Sequence, residues 1–109
     1  MELNDYQKAA AVTATYPDRL HNINYVTLGL CGEAGEMANK VKKIMRDHNG
    51  VMPENMRSFL KDELGDVLWY VAMSADELGT TLEEIAQANI TKLASRAERG
   101  KLGGDGDTR

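Results

Sequence analysis

Apolar residues recur along this chain with a helical period, and no stretch alternates as a half-buried strand would. Asn4 to Tyr16 reads as a first helix, with Asn4 as its cap, Gln7 in the capping-box position and Pro17 as its stop. The connector Pro17 to His21 leads into a second helix, from about Ile23 to Arg46, closed by the turn Asp47-His48-Asn49-Gly50. Pro53 suits the first turn of a third helix that reaches about Leu78, where Gly79 stops it. Thr81 and Glu84 form a capping box for a fourth, Leu82 to about Glu98, ended by Gly100. The pattern predicts an all-α, four-helix protomer in one domain, residues 1–100, with a glycine-rich polar tail at 101–109.

Within this pattern two carboxylate doublets stand out, Glu33 with Glu36 and Glu63 with Asp66. Each has i, i+3 spacing, which places both side chains on one helix face a turn apart. Such pairs are common on solvated faces, but these border the apolar stripes. Val26, Leu30, Met37, Val41 and Ile44 run beside the first doublet; Leu60, Val67, Val71 and Leu78 run beside the second, next to Tyr70. Acids at a core margin are costly unless they coordinate something. Two such helices side by side bring four anions together, and a hard divalent cation, Mg²⁺ or Mn²⁺, is the usual solution. Gly29, Gly32 and Gly65 cost about 1 kcal/mol each in a helix relative to alanine, which predicts close approach of another helix or a ligand.

Other positions are more ambiguous. Lys40 and Lys43 share the face of the first doublet, as i, i+4 partners such as Glu36–Lys40 or as groups along an anionic ligand. Asn89, Lys92 and Arg96 form a polar stripe beside the apolar stripe Leu82, Ala86, Ile90, Leu93 and Ala97; a solvated edge is the plain alternative. His21 lies in the connector, where it caps or faces solvent unless the connector folds over a ligand and brings the imidazole to a base. The third helix is apolar almost all round from Leu64 to Met73, with Trp69 and Met73 pointing away from Val67 and Val71. That predicts a second packing partner, read as another subunit.

Composition narrows the classes. A net charge of −4 argues against a basic surface for nucleic acid or anionic membranes. No apolar run approaches the ~20 residues of a membrane span, and no basic-then-apolar leader opens the chain. The single Cys31 excludes an internal disulfide, fits a reducing cytoplasm, and reads as buried filler. Neither histidine follows a glutamate by three residues, as a di-iron bundle requires, and one cysteine with two scattered histidines makes no zinc set. There is no Walker loop or dinucleotide fingerprint.

Residues 28–36, Leu-Gly-Leu-Cys-Gly-Glu-Ala-Gly-Glu, and 61–70, Lys-Asp-Glu-Leu-Gly-Asp-Val-Leu-Trp-Tyr, resemble the signature of the all-α nucleoside triphosphate pyrophosphohydrolases, closest to the short MazG-like members. Residues 88–93, Ala-Asn-Ile-Thr-Lys-Leu, are similar to that family's fourth-helix segment, and the resemblance covers roughly Asn4 to Arg99. Cys31 departs from the small residue usual at its place. The resemblance implies a protomer that dimerises into a helical bundle, often as a dimer of dimers, and converts a nucleoside triphosphate and water to the monophosphate and pyrophosphate. It implies Mg²⁺ held by Glu33, Glu36, Glu63 and Asp66, with Glu33 or Glu36 positioning the attacking water. Tyr70, Asn89 and Lys92 match nucleotide-contacting positions in relatives, and His21 matches a base-side position loosely. Lys40, Arg96 and Arg109 join the expected substrate contacts, the last through a tail that folds over the site. The competing expectations are a catalytically idle helical dimer that senses a nucleotide or protein, and a relative specialised for one nucleotide such as dUTP or dCTP.

Overall fold

A computed structural model of the chain describes residues 1–100 and Gly104. Four helices follow in order: α1 (Leu3–Ala11), α2 (Ile23–Asp47), α3 (Glu54–Glu77) and α4 (Leu82–Glu98). Among the described residues there is no strand, and no helix is long and apolar enough to cross a membrane. The long helices α2 and α3 pack side by side, α1 lies against α3, and α4 touches α1 and α3. Gly29 faces Tyr70, and Lys40 bonds Glu63, so α2 and α3 run antiparallel.

Local chemistry explains most helix ends. Asn22 caps α2 by accepting from the Tyr25 N–H at 3.1 Å, and Thr81 caps α4 by accepting from the Glu84 N–H at 3.1 Å. The first helix departs from expectation at both ends. It begins one residue before Asn4, with the Asp5 carboxylate accepting from the Glu2 N–H at 3.2 Å. Asn4 and Gln7 instead serve α4: Asn4 accepts from the Glu83 N–H at 3.2 Å and Gln7 from the Leu82 N–H at 2.7 Å. They satisfy donors of a helix some 75 residues further on, since α4 starts against the α1 face that carries them.

α1 also stops at Ala11 rather than Tyr16. The β-branched Val12, Thr13 and Thr15 favour helix weakly, and Tyr16 gains more by folding into the core, where it is 7% exposed. Its ring stacks on Tyr25 with centroids 4.7 Å apart, and its hydroxyl donates to Glu77 at 2.9 Å. Glu77 also accepts from the N–H groups of Leu20 and Asn22, which fastens the connector to the end of α3. Arg19 adds an ion pair to Asp76 at 2.7 Å. This anchoring holds Asp18 and Leu20 at positive φ, 54° and 73°, where non-glycine residues are uncommon.

The core lies where α1 and its connector meet α3, with Val26 of α2 and Leu82 of α4 joining Ala10, Tyr16, Ala72, Met73 and Ala75. This corrects the expected role of Trp69 and Met73. Met73 is fully buried within the protomer, and Trp69 packs on the same cluster and donates its indole N–H to Thr13 Oγ1 at 2.8 Å. On the side of Trp69 and Met73, α3 is covered by α1 and its connector. Cys31 is exposed, not buried filler. The apolar side chains left in solvent are others, among them Leu64 and Leu68 on α3, Met45 on α2, and Ile90 and Leu93 on α4.

Candidate active site

Antiparallel packing of α2 on α3 brings the two doublets face to face. One carboxylate oxygen each from Glu33, Glu63 and Asp66 falls within a group no more than 4.8 Å across. Glu36 is exposed and outside that group, though its charge still acts on Glu33. Two of these acids, Glu33 and Asp66, line a cleft of about 340 Å³ together with Thr13, Trp69 and Tyr70. One wall is therefore anionic and the other aromatic. Trp69 and Tyr70 meet edge to face at 4.9 Å, and Tyr25 lies 6.5 Å from Tyr70.

Tyr70 owes its place to Gly29. A side chain at Gly29 would overlap the tyrosine ring, so the missing Cβ is what lets α3 seat Tyr70 on α2. Gly32 and Gly65, expected to mark close contacts too, have open space where a side chain would be.

The charges on the acids follow from their neighbours. Burial, the adjoining Glu63 carboxyl and the charges of Asp66, Glu63 and Glu36 push the Glu33 carboxyl above the usual carboxylate range. Lys40 donates to Glu63 and holds its pKa below that range, against the opposing effect of burial. Burial and the neighbouring Tyr25, Glu33 and Asp66 raise the Tyr70 hydroxyl, and burial with Asp66 raises that of Tyr6.

A consequence for stability follows. A carboxyl whose pKa rises on folding binds more protons in the folded than in the unfolded chain, so its stabilising effect is lost as pH climbs from the ordinary value of 4.5 through the raised one. Glu63 and Glu77 have the opposite sign, and their contribution is lost as pH falls below 4.5. The metal-free protein is expected to lose the Glu33 contribution to its melting temperature as pH rises above 4.5, and Glu33→Gln to flatten that slope. Thermal melts of both proteins in chelator across pH 4–8 check this; an equally steep decline in Glu33→Gln contradicts the assignment.

The remaining expected contacts are scattered. Lys40 pairs with Glu63 across the helix pair rather than with Glu36 on its own helix, and it lies over the Phe59 ring at 5.7 Å. His21 is exposed in the connector and does not line the cleft. Asn89 and Lys92 line a separate hollow of about 320 Å³ with Ile85 and Ala88, and no α4 residue lines the acidic cleft. Arg96 is buried at 4% exposure. Arg109 and the tail expected to close over the site lie outside the described residues. Sequence reasoning missed Thr13 and Tyr6 as neighbours of the acids. A helix assumed to continue to Tyr16 hid Thr13, and only the contact of α1 with α3 brings Tyr6 near Asp66.

Fold and cleft define a class: an all-α protein that gathers carboxylates from an antiparallel helix pair beside an aromatic wall. Residues 22–100 match the MazG nucleotide pyrophosphohydrolase domain, and the chain belongs to that family. It is 50% identical over 114 residues, covering all of both chains, to the Gene 37 protein of Mycobacterium phage L5. Over 74 residues, 63% of this chain and 70% of the relative, it is 35% identical to a protein of Bacillus subtilis (strain 168) named Uncharacterized protein YvdC. Neither name states an activity. No solved structure matches the chain at comparable significance.

The family is typically dependent on divalent metal, and the residues present fit such an ion. The donors are all carboxylate oxygens, as Mg²⁺ and Mn²⁺ prefer. Oε2 of Glu63 is buried without a hydrogen-bond partner among the described residues, which is costly unless a ligand takes it up. Glu33, Glu63 and Asp66 would hold the ion, with Glu36 within electrostatic reach.

Proposed function

We propose that the protein is a Mg²⁺-dependent nucleoside triphosphate pyrophosphohydrolase, which attacks the α-phosphorus with water and releases the monophosphate and pyrophosphate. The observation that carries this reading is the gathering of Glu33, Glu63 and Asp66, of which Glu33 and Asp66 line a cleft walled by Trp69 and Tyr70, in a chain of the MazG family. A polyphosphate and a carboxylate cluster repel each other. Bound Mg²⁺ supplies the positive charge that reconciles them and polarises the phosphoryl group. Of the two glutamates of the first doublet, Glu33 is the one in the cleft, and its carboxylate oxygen accepts the proton of the attacking water. Tyr70, fixed on Gly29, supports the nucleotide beside the acids.

The same reading includes a homodimer, with a dimer of dimers as its extension. The accessible surface is 7650 Å², against about 6,000 Å² for a compact monomer of 12.0 kDa. The radius of gyration is 16.7 Å, against about 13 Å for a compact domain of this length. A second copy is the occupant that suits the apolar groove of about 520 Å³ along Met37, Val41, Met45, Leu64 and Val67, since it would withdraw the exposed Met45 and Leu64 from water. In that assembly the α4 of one protomer supplies Asn89 and Lys92 to the acidic cleft of the other. A cytoplasmic setting agrees with the free, exposed Cys31.

The deciding experiment incubates the protein with a panel of ribo- and deoxyribonucleoside triphosphates in Mg²⁺ or Mn²⁺ and resolves the products. Monophosphate plus pyrophosphate is the expected outcome. Diphosphate plus phosphate, or no turnover with either metal, overturns it, and nucleotide binding without turnover leaves a sensor in its place. The relative rates across the panel read out base and sugar preference, including a single preferred substrate such as dUTP or dCTP.

A further inference from the structure

We infer that Lys40 is a positioning residue for the metal site, pinning one oxygen of Glu63 so that the other is presented to the ion. This rests on Glu33, Glu63 and Asp66 being the metal ligands. Glu63 belongs to α3 and Lys40 to α2, so the bond between Lys40 Nζ and Glu63 Oε1 ties the two ligand-bearing helices together at the site. Both side chains are largely withdrawn from water, with 28% of Lys40 and 13% of Glu63 exposed. Phe59 backs the ammonium group, its ring centroid 5.7 Å from Nζ. The two oxygens of Glu63 thus have different fates: Oε1 is taken by Lys40, and Oε2 is buried with no hydrogen-bond partner among the described residues.

That asymmetry distinguishes a positioning role from simple charge balance. A carboxylate free to rotate would turn both oxygens toward donors or solvent, because an unpaired buried acceptor is expensive. In the structure Lys40 holds Glu63 from one side. One carboxylate oxygen of Glu63 lies in a group with one each from Glu33 and Asp66, all within 4.8 Å of one another. Partners that hydrogen-bond a metal ligand from behind typically change metal affinity by about 10–100-fold when removed. A lysine placed only to neutralise the cluster acts in the opposite direction, since its loss strengthens attraction for a cation. The sign of the effect therefore separates the two roles.

The experiment titrates the metal-free, full-length protein with Mn²⁺, following heat by calorimetry and free Mn²⁺ by electron paramagnetic resonance. Lys40→Met is expected to bind Mn²⁺ about tenfold more weakly than the wild type. Lys40→Arg, which keeps a charged donor, is expected to stay within about threefold. Circular dichroism establishes folding of each variant. Should Lys40→Met not fold, Lys40→Ser, which also cannot reach Glu63, takes its place under the same criteria. Unchanged or tighter Mn²⁺ binding in the donor-less variant overturns the positioning role. A wild type that binds no Mn²⁺ fails at an earlier step, overturning the metal-ligand reading itself.

Discussion

Asp66→Asn is expected to lower turnover about 1,000-fold or more, a loss of about 4 kcal/mol of transition-state stabilisation, while leaving the fold intact. Asp66 is exposed and makes no side-chain hydrogen bond among the described residues, so the fold has little to lose from the change. Its charge is one of those that push the Glu33 carboxyl upward. Replacing it with a neutral amide relieves like-charge repulsion in the metal-free protein, whose melting temperature should hold or rise slightly. The effect on metal is the reverse. The cluster loses one of its three gathered oxygens, so excess Mg²⁺ is expected to raise the melting temperature of the wild type and to do so far less in the variant. Two measurements decide this: steady-state turnover at saturating Mg²⁺, and melting curves with and without the ion. Wild-type turnover in the variant sinks the assignment of Asp66 to the metal site.

The features legible in the sequence are those that neighbours along the chain determine. Thr81 and Glu84 place the start of α4 because a capping hydroxyl acts within one turn, and Leu82–Glu98 is where the structure has it. The doublets were readable because i, i+3 spacing fixes two side chains on one face whatever packs there. What escaped depends on which helix lies against which. Asn4 and Gln7 have the spacing of a local cap but bond to the start of α4, because that end is nearer their side chains than their own helix start. Lys40 suited Glu36 by i, i+4 rules, yet the antiparallel register of α2 on α3 offers Glu63 instead. Glu77 carried no signal at all. Its three donors come from residues 16, 20 and 22, and only the chain reversal after α1 gathers them. The α4 stripe is a mixed case: it was legible, and Leu82 is buried, but Ile90 and Leu93 stay exposed among the described residues.

Mixing two weak variants is expected to restore activity, if α4 acts across the dimer. Asn89 lines a hollow with Lys92, apart from the acidic cleft of the same protomer, and α4 does not pack on α2. Asn89 is exposed, so Asn89→Ala should fold, and loss of one positioned donor to the developing phosphoryl charge is expected to cost about 100-fold in turnover. The partner variant is Asp66→Asn. Each homodimer has two impaired sites. Random reassortment of equal amounts makes half of the dimers mixed. In a mixed dimer one site combines both lesions, while the other has intact acids from one chain and an intact Asn89 from its partner. The mixture should therefore regain about a quarter of wild-type turnover, as two-fold symmetry requires. If Asn89 serves the acids of its own chain, every site in the mixture carries one lesion and nothing is regained. The assay follows turnover after mixing under conditions that let subunits exchange, with exchange verified by mass spectrometry of a tagged chain. Exchange without recovery excludes the trans arrangement and leaves the open face of α4 to another role.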